Sequence, residues 1–190
     1  MSKYLIIYAN PRHEGHSGYL LQQVESRLAA RGADFEVIDL YRIGYDPILK
    51  PTELYSAPNR VIDPQNIEFQ KKIKAATSLL FIYPTWWQAP PAILKGFIDR
   101  VFTSGFAFTY VNGLPIGLLK DKKAAAFTTS GSPAFFHFIT GNPALKVLLK
   151  YTLAFCGMRT KGFSLGRALH LNENGHELEL TADRIVEYIM

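Results

Sequence analysis

One segment of the sequence combines the residue types that bind a phosphate group. Asn10–Gly18 reads Asn-Pro-Arg-His-Glu-Gly-His-Ser-Gly and joins a run of β-forming residues to a helical pattern. A helix N-terminus offers unpaired N–H groups and the positive end of the helix dipole, and both favour an anion. Arg12, His16 and Ser17 would add side-chain donors, and Gly18 would allow close backbone approach. The alternative interpretation is an ordinary turn in which Ser17 caps the helix.

Two adjacent tryptophans follow a second buried run of residues. The segment Pro84–Pro91 reads Pro-Thr-Trp-Trp-Gln-Ala-Pro-Pro. Trp86 and Trp87 do not both point into the core, because neighbouring side chains of an extended chain face opposite ways. One of them is then available to edge a flat ligand or to face a partner subunit, since aromatic surfaces suit both roles. Core packing by one tryptophan, with the other on the surface, is the simpler alternative.

A third segment, Thr128–Ser132, reads Thr-Thr-Ser-Gly-Ser. Its small residues would let backbone N–H groups approach the edge of a planar ring, although a plain turn explains the segment equally well.

Other kinds of catalytic chemistry find little support in the sequence. The histidines lack the spacing of zinc hydrolases, and the chain has no Walker A or G-x-G-x-x-G motif. The single cysteine, Cys156, excludes an intrachain disulfide and is expected to be a small buried residue.

The three segments each follow a run of β-forming residues, and we expect these runs to pair in one parallel sheet. Tyr4–Tyr8 and Phe35–Leu40 enclose a helical pattern between Ser17 and Gly32, which is the order of a βαβ unit. Further strands are expected at Leu79–Tyr83, Ala124–Thr128 and Thr160–Leu165. Further helices are expected at Ile67–Ala76, Ala92–Thr103, from Asn142-Pro143 to Gly157, and at Thr181–Ile189 with Thr181 as its cap. The sequence therefore predicts a single-domain, three-layer α/β sandwich over residues 1–190, with ligands beyond the carboxyl ends of its strands.

Composition and charge narrow the class of protein. The 190 residues are 48% hydrophobic and 19% charged, which is typical of a folded domain and excludes a wholly disordered chain. The formal net charge is +5, but the basic residues are scattered and no nucleic-acid-binding module is recognisable. Two uncharged stretches, Ala75–Leu94 and Ala124–Leu145, are interrupted by prolines and glycines, and no signal peptide precedes them. We therefore expect a soluble cytoplasmic protein with no nucleic-acid partner.

A longer motif resembles that of a known family. The chain from Pro84 to Phe102 reads Pro-Thr-Trp-Trp-Gln-Ala-Pro-Pro-Ala-Ile-Leu-Lys-Gly-Phe-Ile-Asp-Arg-Val-Phe. It resembles the motif of flavodoxin-like NAD(P)H:quinone reductases, a Pro-x-x-Trp stretch followed by Pro-Ala-x-Leu-Lys-Gly and a basic-Val-Phe ending. Shorter matches occur in the family's order at Asp39–Tyr41, Tyr45–Pro47, Thr128–Gly131 and Phe155–Gly157. The resemblance extends from Tyr4 to about Leu165.

The resemblance implies a fold, a cofactor and a reaction. The implied fold is a flavodoxin-like sandwich whose five-stranded parallel sheet has the order 2-1-3-4-5. The implied cofactor is a non-covalently bound flavin, FMN or alternatively FAD. NADH or NADPH would reduce this flavin, and a quinone-like acceptor would then reoxidise it in a ping-pong cycle. A homodimer is implied as well, with the loop Tyr41–Pro64 and the segment Phe106–Gly117 helping to build the dimer and the catalytic pocket.

The resemblance also implies a role for individual residues. The cofactor-binding residues would be Asn10, Arg12, His16, Ser17 and Gly18 around the phosphate, Pro84, Thr85, Trp86 and Trp87 at the ring edge, and Thr128, Thr129, Ser130 and Gly131 at the nitrogen-containing rim. The backbone N–H groups of Thr129–Gly131, with His137 as a helper, would stabilise the negative charge of the reduced ring. The chain departs from the family at Asn10, where many relatives have His. It also has Phe135 or Phe136 and Thr140 where many relatives place a Tyr and a His.

Two other classes of function remain open from the sequence. Some relatives are ancillary subunits of membrane potassium efflux systems, and in those a flavin site supports an interaction. The other class is a one-electron carrier like true flavodoxin. Those carriers are strongly acidic, whereas this chain carries a net positive charge, so the enzyme interpretation is favoured.

Overall fold

Seven strands occur among the described residues, which in this computed structural model are 3–133, 135 and 139–190. They are β1 (Lys3–Tyr8), β2 (Asp34–Asp39), β3 (Ser78–Pro84), β4 (Phe108–Val111), β5 (Leu114–Gly117), β6 (Lys123–Thr129) and β7 (Arg159–Leu165). Five of them form a parallel sheet of order β2-β1-β3-β6-β7. Counted within that sheet alone, this order is the expected 2-1-3-4-5.

Five α-helices whose bounds lie within the described ranges pack on this sheet. They are α1 (His16–Ala30), α2 (Pro64–Ala75), α3 (Ala92–Val101), α4 (Pro143–Leu148) and α5 (Leu171–Ile189). A π-helical turn, Leu149–Leu153, continues α4. Among the helices of the described residues, none has both the length and the apolar character that crossing a membrane requires.

Two expected helix starts are wrong. Helix α1 begins at His16 with Gly15 as its N-cap, so Ser17 lies inside the first turn and does not cap it. Helix α5 begins ten residues before Thr181, and its N-cap is His170. Contacts with α1 accompany this early start: Tyr19 donates to Glu179 at 2.8 Å. Tertiary packing has here overridden the weak helix propensity of a stretch rich in Asn and Gly.

Two hydrophobic cores lie on opposite faces of the sheet. Alternate residues of each strand point to opposite faces, so Leu5 and Ile7 join one core while Ile6 joins the other. The first core contains the apolar faces of α2, α3 and α4, and the second contains those of α1 and α5. The three inner strands, β1, β3 and β6, are mostly apolar because both of their faces are buried. The predicted three layers are confirmed.

A two-stranded hairpin, which the sequence analysis did not predict, separates α3 from β6. Strands β4 and β5 are antiparallel, and Asn112 and Gly113 form the turn with φ of 51° and 79°. Asn-Gly is the preferred pair for such a type I′ turn, so the signal was present in the sequence. The hairpin is held against the body of the protein by Phe108, whose ring meets that of Phe155 edge to face at 5.2 Å.

A buried ion pair fixes the long loop between β2 and α2. Arg100 of α3 and Glu53 of the loop are 3% and 7% exposed, and two Arg100 nitrogens lie 2.9 and 3.0 Å from the two carboxylate oxygens. The Tyr45 ring packs against the guanidinium at 5.6 Å, and Asn66 donates to Glu53 at 3.3 Å. Burial alone raises the pKa of Glu53, but the bonds from Arg100 and the Lys50 N–H outweigh it and hold that pKa below its ordinary value.

Removing Arg100 should destabilise the protein strongly. We expect Arg100→Met to lower the free energy of unfolding at pH 7 by about 3–5 kcal/mol, because it leaves the Glu53 carboxylate buried without its partner. Urea unfolding measures the effect. The matched control is Lys95→Met, which removes an exposed pair with Asp99 and should cost about 0.5 kcal/mol or less.

The effect of Arg100→Met should also depend on pH. In the native protein the pKa of Glu53 is lowered, so its stabilising contribution is complete above its ordinary value of 4.5 and is lost as the pH falls through the lowered value. In the variant, burial without Arg100 would raise the pKa of Glu53. Lowering the pH would then protonate the Glu53 carboxyl group and remove the unpaired buried charge. The stability difference between the two proteins should therefore shrink from pH 7 to pH 4. A constant difference would contradict this account.

Candidate functional site

The three predicted segments meet at the carboxyl edge of the sheet. The register pairs Pro84 of β3 with Thr129 of β6, and the Thr85 N–H then donates to the Thr129 carbonyl at 2.7 Å. The Thr85 and Thr128 hydroxyls lie 2.6 Å apart. The hydroxyl of Ser17, a fully buried residue in the first turn of α1, lies 3.5 Å from that of Thr129. The loops after β1, β3 and β6 therefore form one continuous site.

The N-terminus of α1 faces this site with its backbone donors. Gly15 is the N-cap and makes no side-chain bond to the first turn, and the first helical bond runs from the Tyr19 N–H to the Gly15 carbonyl. The N–H groups of His16, Ser17 and Gly18 thus precede the first intrahelical donor. Gly18 has no room for a side chain, because a Cβ there would lie 1.9 Å from the His13 carbonyl oxygen. The helix end and the loop therefore fit closely together.

His13 holds the loop between β1 and α1 in place. Its Nε2 lies 2.6 Å from the Oδ2 of Asp39, and its ring stacks on Tyr8 with centroids 4.7 Å apart. The Tyr8 hydroxyl donates to the Arg12 carbonyl at 2.7 Å. The other Asp39 oxygen accepts from the N–H groups of Tyr41 and Arg42 at 3.1 and 3.0 Å. Burial, with smaller effects of the Asp39 and Glu14 charges, raises the pKa of Tyr8, so this phenol stays a donor at neutral pH.

The other predicted residues of this loop have distinct places. Asn10 accepts from the Arg12 N–H at 3.1 Å through its Oδ1, so its side chain shapes the loop. The Arg12 side chain is exposed, and its one hydrogen bond among the described residues is long, 3.4 Å to the Glu14 carbonyl. His16 is buried, and its Nε2 lies 3.0 Å from the Oδ1 of Asn174 in α5. His16 thus connects the N-terminal turns of α1 and α5.

A cavity of about 480 Å³ lies beside these loops. Its lining residues come from the turn after β3 and the loop after β6, and they are Thr85, Trp87, Gln88, Ser130, Gly131 and Ser132. Trp87 is fully exposed and Trp86 is 45% exposed. The alternative in which one tryptophan packs in the core is therefore wrong. Pro84, at the end of β3, is buried beneath them.

The loop after β6 is held by the segment that follows β7. The Ser130 N–H donates to the Leu165 carbonyl at 3.0 Å, and the carbonyls of Ser130 and Ser132 accept from the N–H groups of Ala168 and Arg167, both at 2.9 Å. The Gly131 N–H makes no hydrogen bond to a described residue. Among the three backbone donors proposed from the sequence, Ser130 is thus already committed to the protein. His137 lies outside the described residues.

Other reactive groups do not contribute to this site. Within the described ranges, no group of three or more His, Cys, Asp or Glu side chains could hold a metal ion. Cys156 is 2% exposed, and burial raises the pKa of its thiol to about 12. It remains a thiol at neutral pH, which confirms the expectation of a small buried residue.

Comparison with known proteins identifies the family. A family profile described as a flavodoxin-like fold matches residues 2–188. The chain belongs to the flavodoxin-like family. It is 34% identical to an uncharacterized NAD(P)H oxidoreductase of Haemophilus influenzae over 88% of this chain and 85% of that protein. It is 30% identical to the rat ribosyldihydronicotinamide dehydrogenase [quinone] over 83% of this chain and 78% of that enzyme.

Solved structures of the family show the same arrangement. The NAD(P)H:quinone oxidoreductase of Methanothermobacter marburgensis superimposes with a TM-score of 0.85 at 25% identity, covering all of this chain and 99% of that one. The resemblance found in the motif after β3 is thereby confirmed over nearly the whole chain.

The close contact at Gly18 gives a direct test of the loop geometry. We expect Gly18→Ala to cost about 1–3 kcal/mol of unfolding free energy, because the added methyl group forces the His13 carbonyl to move. The matched control is Gly175→Ala in α5, where no atom lies within 4 Å of the added Cβ. It should stabilise the helix by about 0.5–1 kcal/mol. Equal effects in thermal unfolding would contradict the close packing of the loop on α1.

Proposed function

We propose that the protein is a flavin-dependent NAD(P)H oxidoreductase that passes two electrons from NADH or NADPH to quinone-like acceptors. The observation that carries the proposal is the joint position of two features. An anion-binding helix end and a ring-sized cavity lie at the same edge of the sheet and are joined by the Ser17–Thr129 contact. The names of the rat enzyme and of the archaeal structure, both quinone oxidoreductases, support the same reaction.

The residues present fit a flavin mononucleotide. The first-turn N–H groups of α1, with Ser17 and the exposed Arg12, suit a phosphate, and position 18 of that turn has no room for a side chain beside the His13 carbonyl. The cavity has an aromatic wall at Trp87, and the side chain of Gln88 also lines it. FAD is the alternative, with the same phosphate and ring positions.

A bound flavin would supply the hydride chemistry, and the chain would position and polarise it. The Gly131 N–H and the Thr85 hydroxyl, which lies 2.6 Å from that of the buried Thr128, belong to residues that line the cavity, and as donors they would suit negative charge on a reduced ring. Thr129 orients this group through its carbonyl bond to the Thr85 N–H. His137 is proposed as a helper in the same role. Trp87 would cover the ring and limit its contact with water.

Flavin uptake and turnover test the proposal together. Protein freed of cofactor should bind FMN at micromolar concentration or tighter, and the loaded protein should oxidise NADH or NADPH with a quinone. Initial rates at several quinone concentrations should give parallel double-reciprocal lines, as a ping-pong cycle requires. Protein that binds neither FMN nor FAD would refute the proposal, and intersecting lines would refute the ping-pong cycle alone.

The phosphate position has its own control. Ser17→Asp should weaken FMN binding because it sets a carboxylate against the phosphate. Riboflavin has the same ring without the phosphate, so its weaker binding should be almost unaffected by the variant. Equal losses for FMN and riboflavin would mean that the substitution deforms the cavity and that the phosphate is not recognised at this helix end.

We further propose a homodimer whose interface borders the cavity. The loop held by Arg100 and the β4–β5 hairpin carry large apolar side chains on their outer surfaces, among them Ile48, Tyr55, Val61, Tyr110 and Leu114, each at least half exposed. Exposed apolar surface often marks an interface between proteins, and a two-fold pair would bury these side chains on both copies. Sedimentation at micromolar concentration should give twice the chain mass of 21.4 kDa. A monomer with full quinone reductase activity would contradict this arrangement.

A further inference from the structure

The positive charge of the chain comes from one continuous segment. Residues 122–172 contain seven Lys and Arg residues and no Asp or Glu. The rest of the chain has 14 Lys and Arg against 16 Asp and Glu, so its formal charge is −2, although the whole chain carries +5. Charge that is divided so unevenly along a chain is typical of a protein with an anionic partner.

The fold brings this segment to one side of the sheet, where β7 is the edge strand. The segment contains β6, α4 with its π-helical turn, and β7. The turn packs over one face of β7, because a Cβ on Gly162 would lie 2.8 Å from the Leu149 side chain. Lys146 of α4 and Lys150 of the turn are exposed. Two cations therefore border β7 on that face.

Three further cations lie near the Tyr188 ring of α5, which packs on the opposite face of the sheet. Lys123 and Lys161 place their Nζ atoms 5.9 and 5.4 Å from the ring centroid. Arg159 lies two residues before Lys161 in β7, so its side chain points to the same face. The cations of this side of the molecule, called the basic side below, are Lys123, Lys146, Lys150, Arg159 and Lys161. Among the described residues, none of these five forms an ion pair with a carboxylate.

Neighbouring carboxylates are engaged elsewhere. Glu179 and Asp183 of α5 accept hydrogen bonds from side chains of α1 at 2.8 and 2.6 Å. Glu187 follows Asp183 by one helical turn and so lies on the same side of α5. Asp121 lies 3.3 Å from the Nζ of Lys122. The basic side therefore keeps its charge, and two copies of the chain would repel each other if they met there.

We propose that the basic side docks on the surface of an anionic lipid bilayer. Lipid headgroups present negative charge spread over an area, which suits cations that are distributed from α4 to α5 and do not converge on one ligand. The aromatic rings among them suit the same surface, because Tyr and the apolar stems of Lys are stable at the boundary between headgroups and water. Tyr151, next to Lys150, is 63% exposed.

This docking goes beyond the proposed function and does not depend on it. The proposed cofactor cavity lies at the carboxyl ends of β3 and β6. Lys123 and Arg159, in contrast, are the first residues of β6 and β7. A bilayer that contacts the basic side would therefore leave the cavity uncovered.

Sedimentation of the full chain with lipid vesicles tests the docking. Vesicles that contain phosphatidylcholine and phosphatidylglycerol in about equal amounts should bind the protein at about 0.1 M salt, and about 0.5 M salt should release it. Vesicles of phosphatidylcholine alone should not bind it. Protein that stays in solution with both kinds of vesicle would overturn the proposal, and so would equal binding to both.

A pair of variants separates the basic side from net charge. The test variant combines three substitutions at exposed positions of the basic side, which are Lys150→Gln, Arg159→Gln and Lys161→Gln. The control combines three substitutions at exposed positions outside the segment, which are Arg31→Gln, Lys71→Gln and Lys74→Gln. The test variant should bind the anionic vesicles at least about tenfold more weakly, because each cation near the surface contributes about fivefold. The control should lose less than about threefold.

Equal losses in the two variants would mean that net charge alone governs binding, which overturns the proposal. Both variants should melt within about 3 °C of the unaltered protein, since exposed substitutions change stability little. Duplex DNA and polyglutamate are the soluble competitors. If either binds the protein more tightly than the anionic vesicles do at the same salt concentration, the basic side recognises a soluble polyanion and not a bilayer. Failure of the proposed function is a separate result, because it would appear as a lack of flavin uptake.

Discussion

The parallel pairing of β3 with β6 is the constraint on which the site depends. Its register pairs Pro84 with Thr129, so β3 and β6 end side by side at the carboxyl edge of the sheet. The Thr85 bonds to Thr128 and Thr129 follow directly from that register. A slip of one residue would turn each side chain to the opposite face. The apolar residues of both strands, buried on both faces, therefore fix the position of the cavity as well as the core.

Elements that carry their own local signal were predictable from the sequence. The five strands of the parallel sheet agree with the sequence prediction to within about one residue, and the signal is clearest in β1, β3 and β6, which are mostly apolar because both of their faces are buried. The Asn142-Pro143 start of α4 was also predicted, and Asn142 does accept from the Leu145 N–H at 3.3 Å. The Asn112-Gly113 turn carried an equally strong signal that was not used. Helix starts are less well predicted: Ser17 has the residue type of an N-cap, but α1 begins one residue earlier, at His16.

Side-chain pairs between distant segments were not predictable. Arg100 and Glu53 are 47 residues apart, and His13 and Asp39 are 26 apart. No spacing rule relates such residues, because only the folded sheet and helices bring them together. Both pairs hold loops that begin at the carboxyl edge of the sheet, so the contacts that position these loops are those that a linear pattern reveals least. The strained turn at Trp87 and Gln88, where φ is 50° and 60°, was hidden as well, since neither residue type favours positive φ.

These distant pairs hold the loops at the carboxyl edge of the sheet in defined positions. A loop that must order itself around a ligand loses conformational entropy on binding, and that loss weakens affinity. Here His13, Ser130 and Glu53 each fix a different loop through bonds to another part of the fold. The buried Arg100–Glu53 pair adds little net stability over an apolar contact of the same size, because two charges had to be desolvated. Its contribution is to conformational specificity: the bonds from Arg100 to Glu53 specify one position for a loop whose outer surface carries exposed apolar side chains.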